Sequence, residues 1–204
     1  MTAPAPQTAK SAQKAETRAR ILKEAGEAIR TQGADRVTVA EVMGRAGLTV
    51  GGFYAHFASK DDLLMHAVGH MFDERYASFL ADQPAADPQA ALARFVDNYL
   101  SMRHRDAVGR GCPVPALSSE IGRLAPPVRA AFLRGMERLS EALARLLAQA
   151  GHADPEATAL SAIAEMTGAM GMARAQPDPV KAEALLAGSR AAIRARLGIG
   201  RPAG

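Results

Sequence analysis

A chain of 204 residues, 48% of them apolar, is long enough to bury a core of its own. Aromatic residues make up only 4%, with no Trp, so Leu, Ile, Val, Met and Ala must fill that core and an all-α fold is expected. The lone Cys112 excludes an internal disulfide, no Cys/His cluster has zinc-ligand spacing, and no apolar run reaches the roughly 20 residues of a membrane span.

No metal or cofactor is therefore called for, and a soluble protein of the reducing cytoplasm, away from any membrane, is expected. The net charge of +4 is concentrated at one end. Residues 1–60 hold nine Lys/Arg against five Asp/Glu, and the remainder holds sixteen of each. A basic end suits nucleic acid, because neutralising phosphates releases condensed counterions; a solvated helix face is the plainer source of such an excess.

Residues 1–13, rich in Pro, Ala and Thr without an apolar segment, read as a flexible arm and not as a secretory leader. Ile21, Ala25 and Ile29 then mark a first helix, closed by Gly33. Thr38 and Glu41 form a capping box for a second helix carrying Val39, Val42, Met43 and Ala46, which Gly47 ends. Thr49 is placed to cap a third, short helix. Ser59 and Asp62 repeat the box and open a long helix through Leu64, Val68, Met71 and Phe72 to about Leu80, its acids where the helix dipole favours them.

The stretch 84–88 reads as a seam before a larger helical body. Asp87-Pro88, Asp154-Pro155 and Asp178-Pro179 each place a capping Asp before a proline at the first helical position, starting helices of about 15 to 20 residues. A further amphipathic helix is expected over 127–149, with Phe132, Met136, Leu139, Leu143 and Leu146 as its stripe. Residues 109–124 read as a bend followed by one short helix, and 198–204 as a Gly/Pro tail.

Two short helices around a Gly-containing turn have the dimensions of a helix-turn-helix. Residues 38–64, TVAEVMGRAGLTVGGFYAHFASKDDLL, closely resemble the DNA-binding signature of the TetR family. In that signature a Thr-started helix, an Ala-Gly turn, a Ser/Thr cap, Gly-x-Phe/Leu-Tyr, Phe and Ser-Lys follow in this order. With Thr17, Arg18, Ile21, Leu22, Ala25 and Gly33, the likeness covers about Lys14 to Phe72.

The resemblance implies a three-helix DNA-binding head (14–75, motif 38–57) joined by a connecting helix to a ligand-binding and dimerisation body (85–197). It further implies a homodimer that binds double-stranded operator DNA and responds to a small-molecule effector, acting as a repressor that the signal releases. Small residues at Ala157, Ala164, Gly168, Ala169 and Gly171, with Leu160 and Met170, and an apolar stripe over 180–197 suit the dimer helices; an ordinary internal core gives the same pattern.

Each residue of the expected DNA face has a bland role beside its functional one. Thr38 and Thr49 cap helices, and their hydroxyls also reach phosphates. Tyr54 and Lys60 resemble the family's backbone clamp, with Phe53 and Phe57 filling the inner face. Val50, Gly51 and Gly52 depart from the commoner pattern, which has Lys and Thr here, and the two glycines cost about 1 kcal/mol each in helix propensity. Bare backbone permits close approach to DNA, leaving base readout to Thr49, Val50, Ala55 and His56. His56 is open to three roles: base contact, phosphate contact or a link between helices.

Arg110-Gly111-Cys112-Pro113, followed by Leu117 and Glu120, resembles a TetR subgroup that includes electrophile and redox sensors. A helix start and Arg110 would favour the Cys112 thiolate. The plainer reading is a small apolar residue packed under the bend. Either way Cys112 is expected at a cavity wall with Phe132, Met136 and Met166.

Two other classes compete. His66 and His70 have metal-pair spacing but lack a Glu-x-x-His partner pattern, and Cys112 with His104 lacks an orienting third group, so a metal- or cysteine-dependent enzyme finds little support. A nonspecific architectural DNA protein would hardly need the long neutral body.

Overall fold

The computed structural model describes residues 9–81 and 87–200, and every element among them is helical. Helix α1 (Ala9–Gln32) buries Ile21, Ala25, Ala28 and Ile29 and ends at Gly33, whose φ of +88° is the left-handed value that glycine adopts without strain. It begins at Ala9, so residues 9–13 of the expected arm are helical and the rest of that arm lies outside the described residues.

Helix α2 (Val39–Arg45) starts with half of the expected box. Thr38 Oγ1 accepts the Glu41 N–H at 3.2 Å, but the Glu41 carboxylate turns away to accept the Gln32 amide at 2.8 Å. After Gly47 (φ +70°) comes Val50–Ala55, which is a 3-10 helix and not an α-helix. Two consecutive glycines in six residues give the tighter turn little competition. Thr49 holds the N-cap position with extended backbone, yet its side chain makes no capping bond, which corrects that expectation. At the start of α3 (Lys60–Ala81) Ser59 Oγ accepts the Asp62 N–H at 3.1 Å, and the Asp62 carboxylate accepts the Ala58 N–H at 2.9 Å.

The body opens with α4 (Pro88–Tyr99), capped by Asp87 and, at 12 residues, shorter than expected. A single-turn helix that periodicity does not reveal, α5 (Met102–Asp106), follows on a Ser101 cap. The bend then holds α6 (Pro113–Leu117) between two 3-10 turns, Val108–Arg110 and Ile121–Arg123, where one short helix was expected. Helix α7 (Pro126–Gln149) packs on α3, and it does so closely because a Cβ at Gly135 would stand 2.2 Å from the Phe72 ring.

Helices α8 (Pro155–Ala175) and α9 (Pro179–Arg196) are capped by Asp154 and Asp178 as the Asp-Pro pairs predict. Both are two-faced. On α8, Ala159, Ile163, Met166, Ala169, Met170 and Ala173 are buried, while Ala157, Leu160, Ala164, Gly168, Gly171 and Met172 are exposed. On α9, Ala182, Leu186 and Ile193 are buried, while Val180, Ala184, Gly188, Ala191 and Ala195 are exposed. Residues 198–200 of the expected tail close α9 in a turn, with the Ile199 N–H donating to Arg194 O at 2.9 Å.

Candidate nucleic-acid interface

The Val50–Ala55 helix divides its side chains cleanly. Phe53 and Phe57 are buried with ring centroids 5.7 Å apart, and Tyr54, edge-on to Phe53, is 77% exposed. Thr38, Thr49, Val50, Gly51 and Ala55 are exposed on the same head, with Gly52 and His56 half-buried. A Cβ at Gly51 would meet nothing within 4 Å, and one at Gly52 only the tip of Met43 at 3.8 Å. Internal packing therefore does not require these glycines. The bare backbone of Gly51 faces outward.

Lys60 sits at the start of α3 and its Nζ donates to Asp35 O at 3.1 Å, holding the ammonium beside the turn that precedes Thr38. His56 is held from α1: its carbonyl accepts Arg18, whose guanidinium lies 4.3 Å from the centre of the Phe57 ring. Burial, reinforced by Lys14 and Arg18, pulls the His56 imidazole below its ordinary pKa, so the ring is neutral at pH 7. Arg18 belongs to the family resemblance, but local spacing gives no sign that it braces a residue 38 positions away.

Head and body meet at two buried charges. Arg30 of α1 donates to Met71 O (3.4 Å), to Glu74 (3.1 Å) and to Gly109 O (3.3 Å), tying α1 to α3 and to the bend. Glu120, also buried, accepts the Ala34 N–H at 3.0 Å just beyond the end of α1. The hydrogen bond from His70 to Glu74, and then that from Arg30, hold the Glu74 carboxyl below its ordinary pKa, against the opposing effect of burial. His66 and His70 each face an acid on their own helix, Asp62 at 3.4 Å and Glu74 at 3.5 Å. Among the described residues no group of three or more His, Cys, Asp or Glu is arranged to hold a metal ion.

Cys112 is 1% exposed. Its N–H donates to His104 Nε2 at 3.0 Å, so that nitrogen carries the lone pair and Nδ1 carries the proton, which it gives to Tyr99 O at 2.7 Å. Burial pulls His104 down to about 4, with the Tyr99 carbonyl opposing and Arg75, Arg174 and Arg103 adding to the fall. The Tyr99 ring stands edge-on to His104, and its hydroxyl meets Thr167 Oγ1 at 3.4 Å and interacts with the Cys112 thiol. Burial first, then the thiol, raises the Tyr99 hydroxyl well above the usual tyrosine value.

The cation beside the thiol is Arg174 of α8, not Arg110. Arg110 is exposed and lines an outer groove with Lys23, Glu27 and Thr31. The polar neighbours of Cys112 thus come from α4, α5 and α8. Of the neighbours expected for it, Phe132 packs edge-on against Phe72 at the α3–α7 seam, Met136 is half-buried on α7, and Met166 is buried beside Thr167.

Residues 21–67 match the family described as bacterial regulatory proteins, tetR family, and residues 88–188 match the tetracyclin repressor-like C-terminal domain. The chain belongs to the TetR family. It is a DNA-binding transcriptional regulator of this family, built as an N-terminal helix-turn-helix followed by a helical body.

Similar solved structures include E. coli NemR in its reduced form (17% identity, TM-score 0.76, covering 88% of this chain and 96% of that one). A TetR regulator from Chloroflexus aurantiacus shares 20% identity with a TM-score of 0.78, covering 92% of this chain and 96% of that one. One from Agrobacterium tumefaciens shares 24% with a TM-score of 0.74, covering 88% and 98%. At these identities the likeness is one of fold. No characterised protein matches the chain in sequence. Among the described residues no helix is long and apolar enough to cross a membrane.

Proposed function

We propose that this TetR regulator is a cytoplasmic homodimeric repressor that grips a near-palindromic operator with its head and lets go when a small molecule or electrophile reaches the body. The observation that carries this reading is the division of the Val50–Ala55 helix. Phe53 and Phe57 fill the core, leaving Thr49, Val50, Gly51, Gly52, Tyr54, Ala55 and His56 for the major groove. Thr38, Tyr54 and Lys60 are assigned to phosphates, and the remainder to base edges and close backbone approach. The head spans 14–75 and the body 85–197 in this reading, which the matched spans 21–67 and 88–188 support by falling inside those limits.

Dimerisation is assigned to the outer faces of α8 and α9. Leu160, Met172 and Val180 are 54%, 65% and 76% exposed, and Ala157, Ala164, Gly168, Gly171, Ala184 and Gly188 are exposed with them. A second copy packing there would bury these apolar side chains while the small residues let helix backbones approach.

Sensing is assigned to Cys112 and its surroundings. The segment 102–124 holds Cys112 against Tyr99 and Arg174 at one point and grips α1 through Gly109 and Glu120 at others. A change around Cys112 is therefore felt at the end of α1, and α1 carries the head. We assign no catalytic reaction to the Cys112–His104 pair. Both imidazole nitrogens are already committed, one accepting from Cys112 N–H and one donating to Tyr99 O, which leaves no base for the thiol.

The test is anisotropy binding to duplexes selected from a random pool, against random DNA, before and after N-ethylmaleimide treatment of wild type and Cys112→Ser. Tight binding to a palindromic subset is expected, lost on treatment in the wild type only. Uniform binding to all duplexes would instead identify a nonspecific architectural protein. Full affinity after treatment, or equal loss in the Ser variant, would leave a reversible ligand as the effector.

A further inference from the structure

We infer that the first turns of α1 form a second DNA contact, in which Lys10 and Lys14 hold the sugar-phosphate backbone flanking the groove that the Val50–Ala55 helix enters. This rests on the operator-binding reading above and extends the contact surface beyond the helix-turn-helix.

The inner stripe of α1 runs through Ala28, Ala25 and Ile21, all buried. Continued toward the N-terminus at the same three-and-four spacing, it passes through Arg18, Lys14 and Lys10. The stripe that packs the head thus becomes cationic at the point where the core ends. Residues 10–16 are all exposed, so the helix projects about 12 Å from Arg18 to Lys10 at 1.5 Å per residue, burying nothing.

This projection leaves from the recognition surface itself. Arg18, the last stripe residue to touch the head, binds the His56 carbonyl and covers the Phe57 ring. Lys14, one turn further out, lies close enough to act on the His56 imidazole.

The charge pattern is unfavourable for a helix that meets only water. Cations four apart repel one another, and a cation in the first turn opposes the helix dipole. α1 has no acid in its first turn, and the one acid among residues 9–20, Glu16, lies about 200° around the helix from Lys14. Neither lysine forms an ion pair among the described residues. A polyanion laid along this face relieves each of these costs, and a duplex seated on His56 is the polyanion within reach.

The experiment measures binding of the full chain against salt concentration for wild type, Lys10→Ala/Lys14→Ala and Lys10→Arg/Lys14→Arg. The duplexes are those selected by the wild type from a random pool, with flanks of about 10 bp, one helical turn, or with the flanks removed. The Ala pair is expected to lower the slope of log affinity against log salt by about 1.8, at 0.9 per phosphate contact, with the preferred sequence unchanged. The Arg pair should keep the wild-type slope. Flank removal should weaken the wild type and leave the Ala pair unaffected.

An unchanged slope in the Ala pair, or equal sensitivity of both proteins to flank removal, overturns the inference while the operator reading stands. A shifted sequence preference at constant slope overturns it as well, placing the lysines in base reading. Wild type that binds no duplex overturns the operator reading itself.

Discussion

The head and the body handle polar side chains in opposite ways. In the head, the residues assigned to DNA lie on the surface of a packed scaffold: Tyr54, Thr49 and Val50 face out while Phe53, Phe57 and Met43 fill the interior. In the body and at its joint with the head, Tyr99, Cys112 and Glu120 are buried, His104 and Arg174 are half-buried, and all are wired to one another or to the backbone. On the assignments proposed above, function and stability are separable in the first region and entangled in the second. Substitutions there should divide accordingly.

The largest effect is expected from acid. His104 is held neutral down to about 4, whereas the unfolded imidazole titrates near 6.5. Between those values the unfolded chain binds the extra proton, so stability is fully present above about 6.5 and falls as pH drops toward 4, by on the order of 3 kcal/mol. Urea unfolding at pH 7 and pH 4.5 should show this loss in wild type and a flatter profile in His104→Gln. An equally steep profile in the variant would place the acid sensitivity elsewhere.

Next comes the joint. Arg30→Ala removes three hydrogen bonds and leaves the Met71 and Gly109 carbonyls and Glu74 without their cation, at an expected cost of about 2 to 3 kcal/mol in chemical denaturation. Glu120→Gln keeps an acceptor for the Ala34 N–H and should cost less than 1 kcal/mol or so. Equal costs for the two would break the idea that the joint depends on paired charge at Arg30.

The head gives the smallest stability effects. Tyr54→Phe should unfold at the wild-type urea concentration, because the ring stays in place and the hydroxyl is solvated, yet bind operator several-fold more weakly, on the order of 1 kcal/mol. Loss of stability without loss of affinity would reverse the contrast between the two regions.

The same contrast explains what could be read from the sequence. Features with a local cause were legible: Gly33 and Gly47 at left-handed turns, Asp87, Asp154 and Asp178 before their prolines, and the division of Phe53 and Phe57 inward from Tyr54 outward in and just after one short helix. Features with a remote cause were not. Ala34 and Glu120 are 86 residues apart, and Arg174 of α8 donates to His104 O from 70 residues away, so neither pairing leaves a periodic trace. α5 spans only five residues, too few to show a period, and Val50–Ala55 at six residues is too short for a period to separate 3-10 from α geometry. The start of α1 at Ala9 escaped for a related reason, since a helix that buries nothing has no apolar pattern to reveal it.

The outward face of the head as the operator-binding surface is tested most directly by the salt dependence of binding in Lys60→Ala, which removes an ammonium that donates to Asp35 O at 3.1 Å in an exposed bond. The variant should unfold like wild type, bind all duplexes more weakly by a common factor, and show a salt slope shallower by about one unit. A changed preference among duplexes at an unchanged slope would contradict the account, because it would make Lys60 a reader of bases and not a grip on the backbone.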